Sequence, residues 1–411
     1  MISKIIIEGV DYSGKKSLYE KIKNKIGNKE IQINGILKEQ YELHWSKWDK
    51  SKNDKNTIII ILEATPEKLL ERAQLKDNNK ENYTLEKFFL IRYRYRQLSA
   101  FYGNNIHLID TTLISIDEIS NITLSIIKDN NLDYIIPSIN ELKEEEYEKL
   151  PKVIEGESKI IRQFNKRFQI IKYKPTVHSF KQKRSGIVEG TDKERMKMTK
   201  NIIDIFSRYS LKHSYFFIGE NFILNESKNP EIDLPPVEVI VKRCFVGSDK
   251  VRYYNLEKLK NRFGKPMLKN WKNEYQKLLV RFDYRNPNIN PDTNLPLGDL
   301  PLCDDLADEF LNSEIAKKTA KKCFNVLDEH FSKMNLYFED VCFMLDVNGD
   351  TMYGEVSQDC GRYKYVEEDK LTDLDKDVWR NWGSFEIVLK QYQMLTNMIE
   401  KYVKKNFYGI E

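Results

Sequence analysis

The sequence lacks the features that mark several large classes of protein. Its five cysteines are scattered and include no Cys-x-x-Cys pair, so neither a zinc site nor a disulfide framework is predicted. No apolar run approaches the roughly 20 residues that a membrane-spanning helix needs. The apolar run at residues 5–7 is too short for a secretory leader. These absences predict a cytoplasmic protein with reduced thiols and no membrane contact.

A strong excess of one charge is also missing. The chain has 67 Lys and Arg against 63 Asp and Glu, a formal net charge of +4. Proteins that coat nucleic acid usually carry a large positive excess. The total therefore predicts no nucleic-acid partner, although it leaves room for a local basic patch. With 411 residues, the chain is long enough for two domains that each bury a core.

Strands and helices alternate over residues 1–130. Residues 57–64 form a nearly continuous apolar run, which is typical of a parallel strand covered on both faces. Thr65 and Pro66 then supply a hydroxyl cap and a first-turn proline for a helix. The other predicted elements are strands at 2–8 and 106–109 and helices at 17–26, 85–100 and 116–127. This order predicts an α/β domain with a parallel sheet, followed by a linker at 131–150.

From residue 151 the pattern changes to hairpin-like strands and long helices, which predicts a second, α+β domain over 151–411. Its predicted strands lie at 152–164, 168–175, 214–224 and 236–243, and its helices at 194–209, 313–334 and 384–405. Two further strands, 339–347 and 351–356, are predicted to be joined by a turn at Asn348 and Gly349.

A glycine loop between the first strand and the first helix has the context of a phosphate-binding loop. The loop begins at Gly9, and the helix opens after Gly14. Backbone N–H groups of such a loop cradle phosphates, and Lys15 would reach the terminal phosphates. The next position normally supplies a Mg²⁺-binding hydroxyl, but here it is Lys16, and a hydroxyl follows only at Ser17. An ammonium at that position repels the metal.

This loop resembles the Glu-Gly-x-Asp-x-x-Gly-Lys start of the thymidylate kinase family, and the resemblance continues through residues 65–100. It implies a P-loop kinase-like parallel sheet that binds ATP through Gly9, Gly14, Lys15 and Ser17. The stretch between residues 33 and 57 is much shorter than the family's and contains no Asp-Arg-Tyr-type motif. Three alternatives stay open: a scaffold without kinase activity, a nucleotide-binding domain without transfer, and an active nucleotide kinase.

Residues 233–248 form the most informative segment. An apolar strand presents Glu238 and Lys242 and then turns through Gly247 into Ser248. Such groups beside a glycine turn suit a phosphorylated metabolite. The segment resembles the Val-Glu-Cys-Val-Val-Arg…Gly-Ser signature of the phosphoribosylaminoimidazole-succinocarboxamide (SAICAR) synthetase family, which implies substrate binding by these side chains. Lys242 replaces the family's arginine, so it keeps the charge but loses bidentate geometry.

Matching pieces flank this segment in the family's order. Residues 154–161 resemble the family's Gly-x-x-Lys hairpin, which implies that Gly156 and Lys159 approach ATP phosphates. Residues 353–362 resemble the motif Asp-Glu-x-Ser-Pro-Asp-x-x-Arg. This second match implies that Asp359 and Arg362 are catalytic and that Arg362 also binds substrate.

The resemblance places Asp346 and Glu355 at a Mg²⁺ site, although three nearby positions depart from the family. The segment Val-Cys-Phe-Met-Leu-Asp ending at Asp346 stands where the family has Val-Asp-Phe-Lys-x-Glu, so Cys342 and Met344 replace an aspartate and a lysine. A second family aspartate is replaced by Gly354.

Taken together, the resemblance covers about residues 152–400 and implies an ATP-grasp-like domain that catalyses ATP-dependent carboxylate–amine ligation. A carboxylate is a poor electrophile, so it must first become an acyl phosphate, which an amino acid's amine then attacks. The implied partners are a phosphorylated nucleotide-type compound and an amino acid, in purine synthesis or in phage or viral nucleotide synthesis. The alternatives are a degenerate nucleotide sensor or scaffold and a kinase for an unusual deoxynucleoside monophosphate. Association into a homo-oligomer is left open.

Overall fold

The computed structural model describes residues 2–33, 56–76, 83–102, 106–129, 136–137, 139, 141–179, 184–287, 289–295, 297–368 and 370–408. The chain divides into two compact units. The first contains Met1–Glu155, Ile160–Lys172 and Tyr215–Ser227, and the second contains Gly156–Lys159, Tyr173–Ser214 and Lys228–Glu411. Three segments that the sequence assigned to the second domain, 151–155, 160–172 and 215–227, therefore lie in the first unit.

A four-stranded parallel sheet lies in the first unit, as the alternating pattern predicted. Its order is β2-β1-β3-β4, with β1 at Lys4–Gly9, β2 at Glu30–Ile33, β3 at Thr57–Glu63 and β4 at Ile106–Asp110. All residues of β3 are buried, as expected of a strand covered on both faces. The helices are α1 (Lys15–Ile22), α2 (Pro66–Lys76), α3 (Leu85–Tyr102) and α4 (Ile116–Asp129).

Helix α2 begins where the sequence indicates. The Thr65 hydroxyl accepts a hydrogen bond from the backbone N–H of Lys68, and Pro66 occupies the first helical position. Proline is tolerated there because its missing N–H would have no partner within the helix. Most of the shortened stretch between residues 33 and 57 lies outside the described residues.

An antiparallel sheet completes the first unit. Its order is β10-β11-β7-β6-β5, with β5 at Lys152–Glu155, β6 at Lys159–Gln163, β7 at Phe168–Tyr173, β10 at Tyr215–Ile218 and β11 at Ile223–Glu226. Phe168 and Phe216 share one apolar core with Ile59 of β3, which explains the composition of the unit. Ile136 and Tyr147 are buried in the same core. Most of the described part of the predicted linker is thus packed structure, including the helix α5 (Glu144–Lys149); residues 131–135, 138 and 140 lie outside the described residues.

The second unit is built on a six-stranded antiparallel sheet. Its order is β14-β13-β12-β15-β16-β17, with β12 at Val237–Cys244, β13 at Glu274–Tyr284, β14 at Leu300–Leu302, β15 at Leu336–Phe343, β16 at Gly361–Glu367 and β17 at Lys370–Asp373. Strands β8 (Thr176–Ser179) and β9 (Arg184–Ile187) form a separate pair. The helices are α6 (Thr191–Arg208), α7 (Asp249–Arg252), α8 (Asp304–Asp308), α9 (Ser313–Ser332), α10 (Asp377–Arg380) and α11 (Phe385–Tyr408).

The hairpin predicted at 339–347 and 351–356 is only partly correct. The turn exists, because Gly349 has a φ of 72° and its N–H donates to the Asp346 carbonyl. The second strand is reduced to Met352, which forms isolated bridges to Leu345 and His213. The extended partner of β15 is instead β16, which lies farther along the chain. The alternation of apolar and polar residues could not show whether 351–356 or β16 pairs with β15, because pairing partners depend on the whole sheet.

None of the helices in the described part of the chain has the length and apolar character that crossing a membrane would require.

Candidate active site

Three charged side chains lie side by side on neighbouring strands of the second unit. Lys242 of β12 stands opposite Asp340 of β15, and Asp340 stands opposite Arg362 of β16. The Lys242 ammonium is 3.1 Å from Asp340 Oδ2, and Arg362 Nη1 donates to the same oxygen at 2.7 Å. Burial alone raises the pKa of Asp340, but the Arg362 and Lys242 cations outweigh it and hold that pKa below its usual value.

The glycine turn after β12 lies against Arg362. Gly247 has a φ of 63°, and a Cβ added there would lie 2.5 Å from Arg362 Nη2. Only glycine allows both the left-handed conformation and this close approach. Arg362 Nε donates to Asp377 at 2.9 Å, whereas Nη2 has no hydrogen-bond acceptor among the described residues. The free edge of the guanidinium therefore faces the turn that leads into Ser248.

A further arginine joins this turn from β13. Arg281 Nη2 donates to Ser248 Oγ at 3.2 Å, and Arg281 holds Asp283 with two hydrogen bonds of 2.7 and 2.9 Å. It also pairs with Asp249, the first residue of α7. We call Lys242, Gly247, Ser248, Arg281, Asp340 and Arg362 the turn cluster. It brings together three residues that the sequence had selected, Lys242, Ser248 and Arg362.

Within the turn cluster, Lys242 has a different environment from Arg362. Lys242 is only 2% exposed, and its ammonium is also 3.3 Å from Asp249. Two buried carboxylates therefore neutralise it, and it supports the cluster from inside. Arg362 and Ser248 are half-buried, so a ligand can reach them from solvent.

A second group surrounds Arg195, which is fully buried in α6. Arg195 grips Glu355 with two hydrogen bonds of 2.7 and 2.8 Å, in the bidentate geometry that suits a guanidinium and a carboxylate. It also donates to the backbone carbonyls of Ser158 at 3.3 Å and Lys174 at 3.0 Å. We call Gly156, Ser158, Lys159, Arg195, Glu355 and Asp359 the Arg195 cluster.

Asp359 is held by three neighbours. Lys376 lies 3.3 Å from its Oδ2, Arg195 lies 3.9 Å from the same atom, and the Tyr392 hydroxyl donates to Oδ1 at 2.5 Å. Burial raises the pKa of Asp359, but Lys376 and then Arg195 outweigh it and lower the pKa to about 2. Such a carboxylate is ionised at neutral pH and is a weak base, so it can orient groups more readily than it can accept a proton.

Gly156 and Lys159 lie in the turn between β5 and β6. The Gly156 N–H donates to the Lys159 carbonyl at 2.9 Å, and Lys174 Nζ donates to the Gly156 carbonyl at 2.9 Å. The half-buried Lys159 ammonium has no ion pair in the described chain. Burial lowers its pKa, although Glu355 opposes the shift. An incompletely hydrated cation without a partner is suited to an anionic ligand.

Glu238 lies on β12 opposite Asp283 of β13. Burial and the nearby Asp299 raise the pKa of Glu238, while Arg285 and a hydrogen bond from the Cys342 thiol lower it. Cys342, which occupies a family aspartate position, is thus a direct neighbour of a predicted substrate-binding residue.

The predicted metal residues do not form an evident cation site. Asp346 accepts a hydrogen bond from the Thr351 N–H at 3.2 Å, and the Lys228 ammonium is 3.8 Å from it. Both oxygens of Glu355 already accept from Arg195. No group of three or more His, Cys, Asp or Glu able to hold a metal occurs among the described residues. A guanidinium at Glu355 repels a divalent cation, so the pair does not fit Mg²⁺ in this arrangement.

The glycine loop of the first unit has the predicted strand–loop–helix order. Gly9 has a φ of 134°, and a Cβ there would overlap the Leu62 carbonyl; Gly14 precedes α1 with a φ of 104°. The Lys15 ammonium donates to the Gly9 carbonyl at 2.6 Å and the Val10 carbonyl at 3.1 Å. Burial lowers the pKa of Lys15. Ser17 is exposed at the start of the helix.

Arg92 and Arg96, at the end of the kinase-like resemblance, converge on the end of β3. Each donates two hydrogen bonds to Glu63, at 3.2 Å from Arg92 and at 2.7 and 2.9 Å from Arg96. Burial alone raises the pKa of Glu63, but the two guanidinium groups hold it well below its usual range. This network is described by the structure and was not assigned from the sequence.

Sequence reasoning assigned no role to Arg281, Asp340, Lys376 or Arg195, although it placed the last in the predicted helix at 194–209. A signal existed for Asp340, because charged residues are rarely placed in the middle of an apolar strand without a partner. No such signal identified Arg281, since β13 itself was not predicted.

Comparisons with known proteins match the carboxy-terminal part of the chain. A family model described as SAICAR synthetase matches residues 152–396. The chain is 23% identical over 300 residues to the "Bifunctional cordycepin biosynthesis cluster protein 3" of Cordyceps militaris, an alignment that covers 62% of this chain but only 33% of that protein.

Solved structures with similar folds include three SAICAR synthetases. A structure titled "SAICAR synthetase (Type-2) in complex with ADP" is 21% identical, with 60% of this chain and 97% of that chain covered and a TM-score of 0.48. The enzyme from Pyrococcus horikoshii OT3 is 19% identical, with coverages of 59% and 98% and a TM-score of 0.47. The enzyme from Saccharomyces cerevisiae, complexed with SAICAR, is 13% identical, with coverages of 67% and 99% and a TM-score of 0.45. Because the family model matches more than half of its length, the chain belongs to the SAICAR synthetase family of ATP-dependent ligases.

Proposed function

We propose that this protein joins a carboxylated, phosphorylated nucleotide-type substrate to the amine of an amino acid at the expense of ATP. The observation that carries the proposal is the turn cluster, in which Arg362 presents its free edge beside Gly247 and Ser248. Guanidinium, hydroxyl and turn N–H groups are the donors that a phosphate ester prefers. A role in phage or viral nucleotide synthesis remains part of the proposal.

The residues of the turn cluster take separate roles. Arg362 and Ser248 bind the substrate phosphate, and Arg281 holds the Ser248 hydroxyl in place. Lys242 is too buried to touch the phosphate in this arrangement, so it positions Asp340, which in turn orients Arg362. Glu238 binds the substrate farther along β12.

ATP phosphates bind at the turn that contains Gly156 and Lys159. The Lys159 ammonium gains a counter-charge there, and the turn backbone is already tied to Arg195 through Ser158. Arg195 also holds Glu355, so a single buried guanidinium connects the nucleotide turn to the family motif at 353–362.

The reaction proceeds in two steps. The substrate carboxylate attacks the terminal phosphorus of ATP, which releases ADP and leaves an acyl phosphate. The amine then attacks the acyl carbon, phosphate leaves as the new amide bond forms, and the departing phosphate accepts the proton that the amine nitrogen loses. Lys159 stabilises the charge of the phosphoryl group during transfer, and Asp359 orients the Lys376 ammonium and the Tyr392 hydroxyl toward the reacting groups.

Dependence on Mg²⁺ stays a prediction. When bound with ATP, the ion would neutralise phosphate charge and polarise the transferred group. Asp346 and Glu355 as arranged do not fit it, so no step above passes through the metal.

One observation favours a second candidate, a nucleotide-binding sensor that has lost ligation. A Cβ at Gly354 would lie 2.4 Å from Cβ and 2.5 Å from Cγ of Met344, so an aspartate at 354 would require these two segments to shift. The departures at Met344 and Gly354 also replace two charged groups of the family with uncharged residues. The first unit remains a predicted nucleotide-binding domain that uses Gly9, Gly14, Lys15 and Ser17.

Product analysis by mass spectrometry tests the proposal. The protein is incubated with ATP, Mg²⁺, pooled nucleotides and amino acids, and an amide adduct with release of ADP is expected. The substitution Arg362→Gln removes the proposed charge-assisted contact with the substrate phosphate. It should lower kcat/KM about 100-fold. The control Arg243→Gln removes an ion-paired arginine of a different strand, β12, and should leave kcat/KM near that of the wild type. Nucleotide binding without any adduct would instead favour the sensor, and equal activity of both variants would remove the turn cluster from the site.

A further inference from the structure

A basic segment leaves the turn cluster and returns to β13. Residues 250–272 contain the cations Lys250, Arg252, Lys258, Lys260, Arg262, Lys265, Lys269 and Lys272 against the single carboxylate Glu257. This local excess of seven positive charges is larger than the formal net charge of +4 for the whole chain. The near balance of the total composition therefore conceals one strongly basic surface, which we call the basic arm.

Four aromatic rings are exposed on the basic arm. Their relative exposures are 42% for Tyr253, 86% for Tyr254, 71% for Phe263 and 60% for Trp271. Large aromatic side chains are normally mostly buried, because exposing their area costs free energy. Four such rings in one short segment are unusual unless a partner covers them.

The basic arm packs on a small apolar core that it shares with its flanking residues, so these rings are not displaced core residues. Phe245, Leu268 and Tyr275 are buried together, and Leu256 packs against them. The Asn261 N–H donates to the Lys265 carbonyl at 2.7 Å, and the Met267 N–H donates to the Leu259 carbonyl at 2.9 Å. The exposed rings and cations are therefore carried on an ordered support.

Most cations of the basic arm have no carboxylate partner. Within the described chain, no ion pair is formed by Lys250, Lys258, Lys260, Arg262 or Lys265. Lys269 pairs with Glu274 at 3.3 Å, and Arg252 pairs with Asp283 at 3.1 Å. A surface with several unpaired cations attracts a polyanion and releases counterions when it binds.

Rings and cations alternate along the basic arm. Tyr253 and Tyr254 follow Arg252, Phe263 follows Arg262, and Trp271 lies between Lys269 and Lys272. A flat ring beside a cation matches a nucleobase beside its phosphate, and stacking accepts any base. The helical parts of the segment are too short to form the amphipathic helix that commonly inserts into a membrane surface.

We propose that the basic arm binds single-stranded nucleic acid through base stacking on Tyr254, Phe263 and Trp271 and phosphate contacts with the neighbouring cations. This binding does not require ligase activity. The basic arm begins at Lys250, two residues after Ser248 of the turn cluster, so the proposed phosphate site and the proposed polynucleotide site are adjacent in the chain.

Fluorescence anisotropy with a labelled 15-nucleotide oligothymidylate tests the proposal, with the intact protein and without ATP or ligase substrates. Removing stacking partners in Tyr254→Ala/Phe263→Ala should weaken binding about 100-fold, because each stacked base contributes about 1–3 kcal/mol. Neutralising cations in Lys258→Gln/Lys260→Gln/Arg262→Gln should weaken binding and reduce the slope of log K against log salt by about 2.

A matched triple variant serves as the control. Lys318→Gln/Lys401→Gln/Lys404→Gln removes three cations outside the basic arm and should retain both affinity and most of the salt slope. Thermal melts of all variants verify that the fold is intact, which is expected because every substituted side chain is exposed or solvent-accessible. Equal oligonucleotide affinity of the arm variants and the control would overturn the proposal. So would binding to vesicles of 30% phosphatidylserine in phosphatidylcholine with no binding to the oligonucleotide.

Discussion

The two glycine turns of this protein acquire their cations in different ways. In the first unit, Lys15 is the first residue of α1, directly after the loop, and donates to the carbonyls of Gly9 and Val10. In the second unit, the cation beside Gly247 is Arg362, which lies more than a hundred residues farther along the chain. One turn is made by adjacent residues, whereas the other is made by the register of three strands.

The difference has an energetic consequence. A lysine that binds only loop carbonyls can exchange them for water or for a ligand. Lys242, Asp340 and Arg362 lack that freedom, because each buried charge depends on the next. Removing one member of a buried ion-pair network leaves another uncompensated, which costs far more than losing an exposed contact. We therefore expect the second turn to be sensitive to substitution and the first to be tolerant.

The largest effect is expected for Lys242→Met, which leaves the buried Asp340 and Asp249 without their shared cation. The free energy of unfolding should fall by about 3–5 kcal/mol, measured by denaturant titration. Lys333→Met, which breaks only an exposed pair with Glu329, is the control and should change stability by less than about 0.5 kcal/mol. Similar effects of the two substitutions would mean that the turn cluster is not a buried network.

Protonation of His107 in the first unit should change the free energy of unfolding by about 3 kcal/mol as the pH is lowered. Its buried ring has no hydrogen-bond partner among the described residues, and burial lowers its pKa to about 4. The unfolded chain takes up a proton near pH 6.5 while the folded chain does not, so stability falls as pH falls from 6.5 to 4. Hydrogen exchange of β4 at several pH values should show this loss, and His107→Leu should remove it. An unchanged pH dependence in that variant would contradict the assignment.

Asp359 should contribute about 2 kcal/mol to the free energy of unfolding at neutral pH, because its pKa is about 2 in the folded protein and near 3.8 in the unfolded chain. The depressed value means that the stabilisation is complete above pH 3.8 and is lost as pH falls through 2. Asp359→Asn should thus lower the free energy of unfolding at pH 7. The difference in unfolding free energy between this variant and the wild type should shrink as the pH falls from 3.8 through 2. Urea unfolding at pH 7 and pH 2.5 measures both values.

The smallest effect is expected for Lys15→Ala. The Lys15 ammonium donates to two loop carbonyls that water can reach once the side chain is removed, so the free energy of unfolding should fall by only about 1 kcal/mol. Amide formation should keep the wild-type rate, while calorimetry should show weaker ATP binding at the first unit. A large loss of amide formation would show that the two turns act together. It would contradict the expectation that the first turn tolerates substitution better than the second.

Local patterns predicted the elements that depend on neighbouring residues. The apolar run of β3, the cap at Thr65 and the loop from Gly9 to Gly14 all follow from short stretches of sequence. The family resemblance also selected Ser248 and Arg362, because each lies in a motif that is continuous in the sequence. The assignment of 160–172 to the first unit could not be foreseen, since it depends on which apolar faces meet in one core.

The same limit applies within the candidate site. Asp340 connects Lys242 to Arg362 only because β15 lies between β12 and β16 in this register. A shift of one residue would turn Asp340 to the opposite face of the sheet. Arg195 likewise meets Glu355 through the packing of α6, which no spacing in the sequence encodes.

The amino-acid sequence alone thus determined the family, the parallel sheet at the amino terminus and part of the charged set around each glycine turn, namely Lys15 in the first unit and Lys242 and Arg362 in the second. Tertiary structure decided which of those charges are buried together and which stay available to a ligand. The reason is physical: composition and short-range pattern specify local backbone preference, whereas the environment of a charge depends on strands that are distant in the chain.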